Sequence, residues 1–482
     1  MKQYTDQAMQ ICKKRGADYA DIRIVEITRE ELGVRNGELS AIENYKSFGY
    51  GIRVIMKGAW GYAAAAGLDP AGIKAAAEKA VEIALASSRK INKKVRLAPE
   101  PVYIDRWQSP YVVDPFNVSP EEKLNLLFEI DKILRKNKKI KNALSLMNFE
   151  REHQWFANLD GSFINQQITR SGAGYEATAV DGGESQRRSF PCTNGQFVQA
   201  GYEVIPAFHL LENAEKTREE AISLLSAKPC PAGEKELIIM GSQLALQIHE
   251  SIGHATELDR VLGLEANYAG RSFVTLEKKG NFRYGSKLMN IVADSTCPTG
   301  LGTFGYDDDG VRPERYHVIK DGIFQTYLTN REFAHEIGEK RSRGCNRADG
   351  WENIPIVRMP NLSLMPGDAK LDQLIADTRD GILVDGVKCW SIDQYRSNFQ
   401  FGMEMGWEIK KGKITGIVKD PTYQSITPVF WGNLNAICDE SHWTLWGVFN
   451  CGKGQPGQRA EMSHGCAPAR FSKVTVGVQN AR

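Results

Sequence analysis

Apolar and polar residues alternate along the first part of the chain in the manner of antiparallel strands. A short stretch over residues 4–15 has helical spacing, and after it the runs ADIRIVEIT, ELGVRNGELSAIEN and GYGIRVIMKGAWGYAAA alternate with a period near two. Asn36-Gly37 and Lys57-Gly58 join these runs. Each dipeptide supplies the positive φ angles of a tight hairpin, so a small antiparallel sheet is predicted. Alanine-rich 70–87 and the segment 119–136 return to helical spacing. A second strand-rich block covers 142–207, with a turn at Asp160-Gly161, and a helix is expected over 209–226. The segment Ala227-Lys228-Pro229-Cys230-Pro231-Ala232-Gly233 interrupts all regular structure and marks the expected domain boundary.

The second half opens with a strand, KELIIMG, and then a helix. Beyond about residue 270 hairpin signals return, at Asp321-Gly322 in YHVIKDGIFQTYL and at Lys411-Gly412 in WEIKKGKITGIVK. No sequence repeat is visible. The fold expected is α+β in two domains, 1–228 and 229–482, each with an antiparallel sheet and helices.

Composition narrows the function. The 482 residues are 42% hydrophobic and 25% charged, the balance of a soluble globular protein of two or three domains. A net charge of +2 offers no footprint for nucleic acid or an acidic membrane. The basic runs Arg89-Lys90-Ile91-Asn92-Lys93-Lys94 and Arg135-Lys136-Asn137-Lys138-Lys139 are read as helix ends or solvated surface. No apolar run approaches membrane-spanning length, and MKQYTDQAMQICKKRG lacks the apolar core of a secretory signal. Nine scattered cysteines with no CxxC pair suit a reducing compartment, so a cytoplasmic location is expected.

The helix after KELIIMG carries 244-LALQIHESIGHATELDR-260, in which His249 and His254 flank Glu250. A helix turns by about 100° per residue, so histidines four apart lie within about 40° and those five apart diverge by about 140°. A regular helix cannot bring the latter pair onto one metal; a π-bulge can, and such bulges occur mostly at functional sites. Gly253, directly before the second histidine, would ease that distortion. His335-Glu336 in AHEIGEK has no second histidine and is read as a surface helix. A third ligand must come from elsewhere. Cys451 in FNCGKGQPGQ is one candidate, and His464 and Cys466 in MSHGCAP are two more, each suited to zinc. Spacing does not choose among them.

HESIGHATELD resembles the HExxxH signature of the TldD/PmbA family of metallopeptidases, in its metal-bearing TldD type. The segments ADYADIRIVEITREELGVRNGELSAIEN and GYGIRVIMKGAWGYAA are similar to the N-terminal block of that family. GTFGYDDDGV with IKDGIFQTYLTNRE is similar to the central block, and CGKGQPGQ to the cysteine turn near the C-terminus. The resemblance implies a two-domain α+β protein whose C-terminal domain holds Zn2+ on His249, His254 and Cys451, with Glu250 as catalytic base. It thus selects Cys451 over Cys466 and His464. It also implies peptide or unfolded polypeptide as substrate, and a homodimer or a heterodimer with a family-related subunit. Glu257 and Asp259 lie shortly beyond His254 and are read as carboxylates that could orient the histidines or as plain helix-surface acids; the resemblance favours a role for Glu257. Two rival readings follow from the same residues: a non-catalytic regulatory or scaffold member, given the family's link to DNA gyrase control, and a zinc hydrolase of another amide.

Gly300-Leu301-Gly302-Thr303-Phe304-Gly305 fits GxGxxG. Asp307, Asp308 and Asp309 follow directly and would repel phosphate, so a turn or a loop near the site is expected in place of a nucleotide cradle. Trp390, Trp407, Trp431, Trp443 and Trp446 are expected mainly in sheet cores, with a peptide groove as the alternative for some.

Overall fold

The structure is a computed structural model and describes residues 1–477. The predicted turn dipeptides form left-handed hairpin turns. Asn36, Lys57, Asp321 and Lys411 have φ between 49 and 54°, and the glycine after each lies between 76 and 84°. These values at two successive positions are what a two-residue hairpin demands.

The first sheet is larger than the alternation suggests. β1 (Tyr19–Arg35) and β2 (Glu38–Met56) are 17 and 19 residues long and run antiparallel, and β3 (Ala59–Ala66) pairs with the far end of β2. After β4 (Ile104–Gln108) come β5 (Ile140–Asn158) and β6 (Phe163–Asp181). The second strand-rich block builds no sheet of its own. β5 pairs along β1 from Asp21↔Asn158 to Arg35↔Leu144, so both blocks enter one eight-stranded sheet of order β3-β2-β1-β5-β6-β4. β7 (Glu184–Phe190) and β8 (Gln196–Val198) flank β6. Alternation along each strand could not reveal this pairing, because register between distant strands is a tertiary choice.

Four main helices cover this sheet. α1 (Lys2–Lys14) and α2 (Pro70–Ser87) bury Ala8, Cys12, Ile73, Ala77 and Ala80 against Ile22, Ile24, Ile52 and Val54. α2 starts where it does because Pro70 occupies the first turn and the Asp69 carboxylate accepts the Gly72 N–H at 2.9 Å. Gly61 lets it approach β3 closely: a Cβ there would lie 2.0 Å from the Ala80 carbonyl oxygen. α3 (Pro120–Leu134), capped by Ser119, packs with a helix over Leu210–Leu224 on Met147, Phe149 and Ala177.

The second half is built on another sheet, whose path closes on itself. Strand 380–392 pairs in parallel with the strand Gly233–Ile239, which continues through 469–476 and 422–426 to 398–410; 398–410 then pairs back with 380–392. The expected antiparallel sheets are present, with some parallel pairs besides. Parallel pairs join β4 to β6, 233–239 to 380–392, and 413–419 to Lys228–Pro229. The last pair also shows that the 227–233 segment is not wholly irregular, since Lys228–Pro229 forms a short edge strand. The fold is mixed α+β with several largely antiparallel sheets. Strands of the first sheet come from residues 19–198 and those of the closed one from 228–476.

Candidate metal centre

The motif sits on one buried helical passage. Leu237, Ile238 and Ile239 enter the core, and the chain turns into a helix over Gly241–Ile248. Residues His249–Gly253 form a π-turn, in which the His254 N–H bonds to the His249 carbonyl five residues back. The bulge inserts the extra residue that the spacing demands, and the two imidazole rings come to 4.8 Å centroid to centroid. Wider turns leave local polar groups short of helical partners. Here Tyr284 donates its hydroxyl to the Ser251 carbonyl, Trp431 donates Nε1–H to Ser251 Oγ at 2.9 Å, and Ser251 Oγ donates to the Gln247 carbonyl. Gly253 serves packing more than distortion. Its φ is an ordinary helical −53°, whereas a Cβ would stand 1.9 Å from Met359 Sδ.

Hydrogen bonds assign the tautomers. The Leu362 carbonyl can only accept, so His464 Nδ1 carries the proton of their 3.0 Å bond. Burial holds the His464 imidazole well below its ordinary pKa, hence neutral, and its Nε2 is a lone pair. That lone pair accepts from His249 Nδ1 at 2.8 Å, which leaves His249 Nε2 bare. His254 Nδ1 donates to the Glu257 carboxylate at 2.8 Å, so His254 Nε2 is also bare, and it faces Cys451 Sγ at 3.5 Å. Burial pushes His249 down to about 4 and His254 well below its usual value. One atom each from His249, His254 and Cys451 lie within 4.8 Å of one another, and all three residues are buried.

This donor set fits a borderline-soft divalent ion. Ligands at about 2.1 Å (N) and 2.3 Å (S) in a tetrahedron stand about 3.6 Å apart, close to the Nε2–Sγ separation found. The rival ligands are occupied otherwise: His464 lies behind His249, and Cys466 Sγ donates to the Gly241 carbonyl at 3.2 Å. Glu250 lines the same cavity as the cluster, and its Oε2 accepts from Arg396 Nη1. Glu257 is fully buried and holds His254; Asp259 pairs with Lys453 Nζ at 2.7 Å, and Lys453 itself has no exposed surface. Arg396 carries no local signature in the sequence, and Lys453 stands inside CGKGQPGQ without any feature that marks it as a partner of Asp259.

Three sequence profiles of one family, described as PmbA/TldA metallopeptidase, match this chain: domain 1 over 20–84, the central domain over 113–227 and the C-terminal domain over 233–478. The chain belongs to that family. A metalloprotease of Methanocaldococcus jannaschii is 30% identical, over 84% of this chain and 86% of its own. A protein of Saccharolobus solfataricus named zinc metalloprotease TldD homolog is 22% identical over 96% of this chain and 97% of its own. The crystal structure of TldE from Thermococcus kodakarensis superimposes with a TM-score of 0.75 at 17% identity, over 98% of this chain and 100% of that one. The first two family segments share the first sheet of this PmbA/TldA chain, and the third holds the closed sheet and the His-His-Cys cluster.

In this family member the cluster lies at the wall of a cavity of about 670 Å³. The first half contributes the loop 192–195 and Phe197; the second contributes His249, Glu250, Arg396 and residues 446–452. Of the tryptophans, Trp431 is core, while Trp390 and Trp446 line the cavity. The GxGxxG stretch opens no helix, and Gly302 N–H is taken by Asn361 Oδ1 at 2.8 Å. Asp307, Asp308 and Asp309 are all buried, contrary to a plain surface turn. Asp307 accepts the backbone N–H groups of Asp309, Val311 and Asn346, and Asp309 pairs with Arg53 of β2 at 2.8 Å. They join the two halves of the chain. His335 and Glu336 lie in a short 3-10 turn, with no partner histidine. Among the described residues no helix is long and apolar enough to cross a membrane.

Proposed function

We propose that this protein is a zinc-dependent peptidase that hydrolyses peptides or unfolded polypeptide segments. His249, His254 and Cys451 would hold the ion, and Glu250 would act as general base. The observation that carries this reading is the convergence of two bare Nε2 lone pairs and a thiol beside a carboxylate, at the wall of a cavity large enough for several residues. Zinc, when bound, would polarise a carbonyl and acidify a water molecule. Glu250 would take a proton from that water and return it to the leaving amine. His464 and Glu257 would keep Nε2 of each ligand free of protons, the usual office of such outer hydrogen bonds. The fully buried Lys453 balances Glu257 and Asp259 behind the site.

Substrate recognition would rest on backbone pairing. Strand 380–392 is paired on its second side only over 381–384, and its later residues Trp390, Ser391 and Ile392 line the cavity. An extended chain could add there as a strand, which suits unfolded segments and little side-chain selectivity. We further read the functional division as 1–228 and 229–482, a dimer with itself or with a family-related subunit, and a cytoplasmic location. The test is metal analysis of the purified protein followed by digestion of a denatured peptide library with and without chelator. One zinc per chain and chelator-sensitive cleavage are expected. Zinc with no cleavage of any peptide would favour a regulatory or scaffold role.

A further inference from the structure

Arg396 is held with unusual firmness for a residue on a turn. It stands between strands 380–392 and 398–410, at a φ of 64° that non-glycine residues seldom adopt. Its N–H donates to the Asp393 carbonyl at 2.9 Å, its carbonyl accepts from Thr427 Oγ1 at 2.8 Å, and the Asp393 carboxylate accepts from the Ser397 and Asn398 N–H groups. The neighbouring Gln394 carbonyl accepts from Arg260 Nη2 at 3.0 Å, and Arg260 is fully buried just beyond the motif. The side chain, 13% exposed, reaches into the cavity from this frame.

Only one arm of the guanidinium is used. Nη1 donates to Glu250, and Nε is buried without a partner. Among the described residues nothing accepts from Nη2, and Arg396 lines the cavity. The formal charges show what that arm is for. A thiolate ligand and the Glu250 carboxylate together cancel a bound dication, so the centre alone offers little positive field to a developing oxyanion. Arg396 would restore one positive charge beside it, already oriented and largely buried.

We propose that Arg396 is a catalytic residue that binds the oxyanion of the peptide being cleaved; this rests on the peptidase reading above. Nη1 stays on Glu250 while Nη2 donates to the scissile carbonyl oxygen. As water oxygen bonds to the carbonyl carbon, its proton passes to Glu250 and the carbonyl π pair moves to the oxygen held by Arg396. Glu250 then delivers the proton to the amide nitrogen, the C–N bond breaks, and the pair returns to re-form the carbonyl, giving an acid and an amine. The guanidinium is unchanged throughout.

The test compares Arg396→Ala and Arg396→Lys in the zinc-loaded full-length protein, with zinc content checked first. Loss of one such donor lowers kcat by about 100- to 1,000-fold. We expect that loss in Arg396→Ala with KM within about threefold, and partial recovery in Arg396→Lys. Binding is read by calorimetry in a Glu250→Gln background, which keeps an amide peptide intact. There Arg396→Ala should weaken a phosphinic peptide, which mimics the tetrahedral anion, by a comparable factor, and the matching amide peptide by less than about threefold. Equal weakening of both ligands would overturn the proposal. So would a loss confined to peptides with a free C-terminal carboxylate, which would make Arg396 a receptor for the chain end. Wild-type protein that neither cleaves peptide nor prefers the phosphinic peptide would instead sink the peptidase reading itself, before any change at Arg396.

Discussion

At the scale of single residues, the centre depends on where protons sit. His249 can offer Nε2 only because His464, itself fixed by the Leu362 carbonyl, accepts from Nδ1. His464→Phe keeps an aromatic ring there and removes that acceptor. Zinc affinity should fall by about 10- to 100-fold, measured by competition with a chromophoric chelator. An unchanged affinity would mean that packing alone orients His249. Lys453 makes a second point. It is fully buried against Asp259 and Glu257, so Lys453→Met strands two carboxylates and should destabilise the protein by about 3–5 kcal/mol in urea unfolding. A change below 1 kcal/mol would show that Lys453 does not compensate those acids. His249, Glu250 and His254 were legible from the sequence because they stand within six positions. Cys451 was not separable from His464 and Cys466 by chemistry, since all three are zinc-type donors and only the fold decides which faces His254. Arg396 was invisible, being a lone charge in a turn far from the motif, and Lys453, though inside CGKGQPGQ at the end of a strand, had no sequence signal that paired it with Asp259.

At the scale of elements, spacing proved more informative than propensity. Five-residue separation of the histidines implied a bulge, and the His254 N–H to His249 carbonyl bond is one. What spacing could not supply was the reason for Gly253, which depends on Met359, more than a hundred positions away. Gly253→Ala drives a methyl into Met359 Sδ and should lose about 1–3 kcal/mol, with weaker zinc retention as the turn shifts. Adding Met359→Val withdraws the sulfur and should restore part of both. Full stability and zinc content in Gly253→Ala alone would show that the contact does not hold the turn. The hairpins were readable from four dipeptides, whereas the pairing of β1 with β5 was not, because its partners are set by the whole sheet.

At the scale of the whole molecule, buried charge joins the halves. Glu152 on β5 lies 3.3 Å from Arg170, and burial, with Asp308, Glu150 and Glu461 nearby, lifts its carboxyl from 4.5 to about 7. A carboxyl raised in the folded state opposes folding once it must ionise there. The penalty is absent below about pH 4.5, grows as pH rises, and is complete above about pH 7, where it amounts to about 3 kcal/mol. Glu152→Gln should therefore be the more stable protein at pH 8 and nearly equal to wild type at pH 4.5, by urea midpoints. Equal midpoints at pH 8 would place the Glu152 charge in solvent. The three buried aspartates 307–309 belong to the same joint; in the sequence they looked like a turn, because Arg23 and Arg53, the partners of Asp308 and Asp309, lie in the first sheet. The claim that ties all scales together is that Glu250 does chemistry and Cys451 holds metal. The direct measurement is zinc content and new amine termini, after incubation with a denatured peptide library, for wild type, Glu250→Ala and Cys451→Ala. The account predicts one zinc per chain and no cleavage in Glu250→Ala, and lost zinc with lost cleavage in Cys451→Ala. Cleavage that survives in Glu250→Ala, or full zinc in Cys451→Ala, would contradict it.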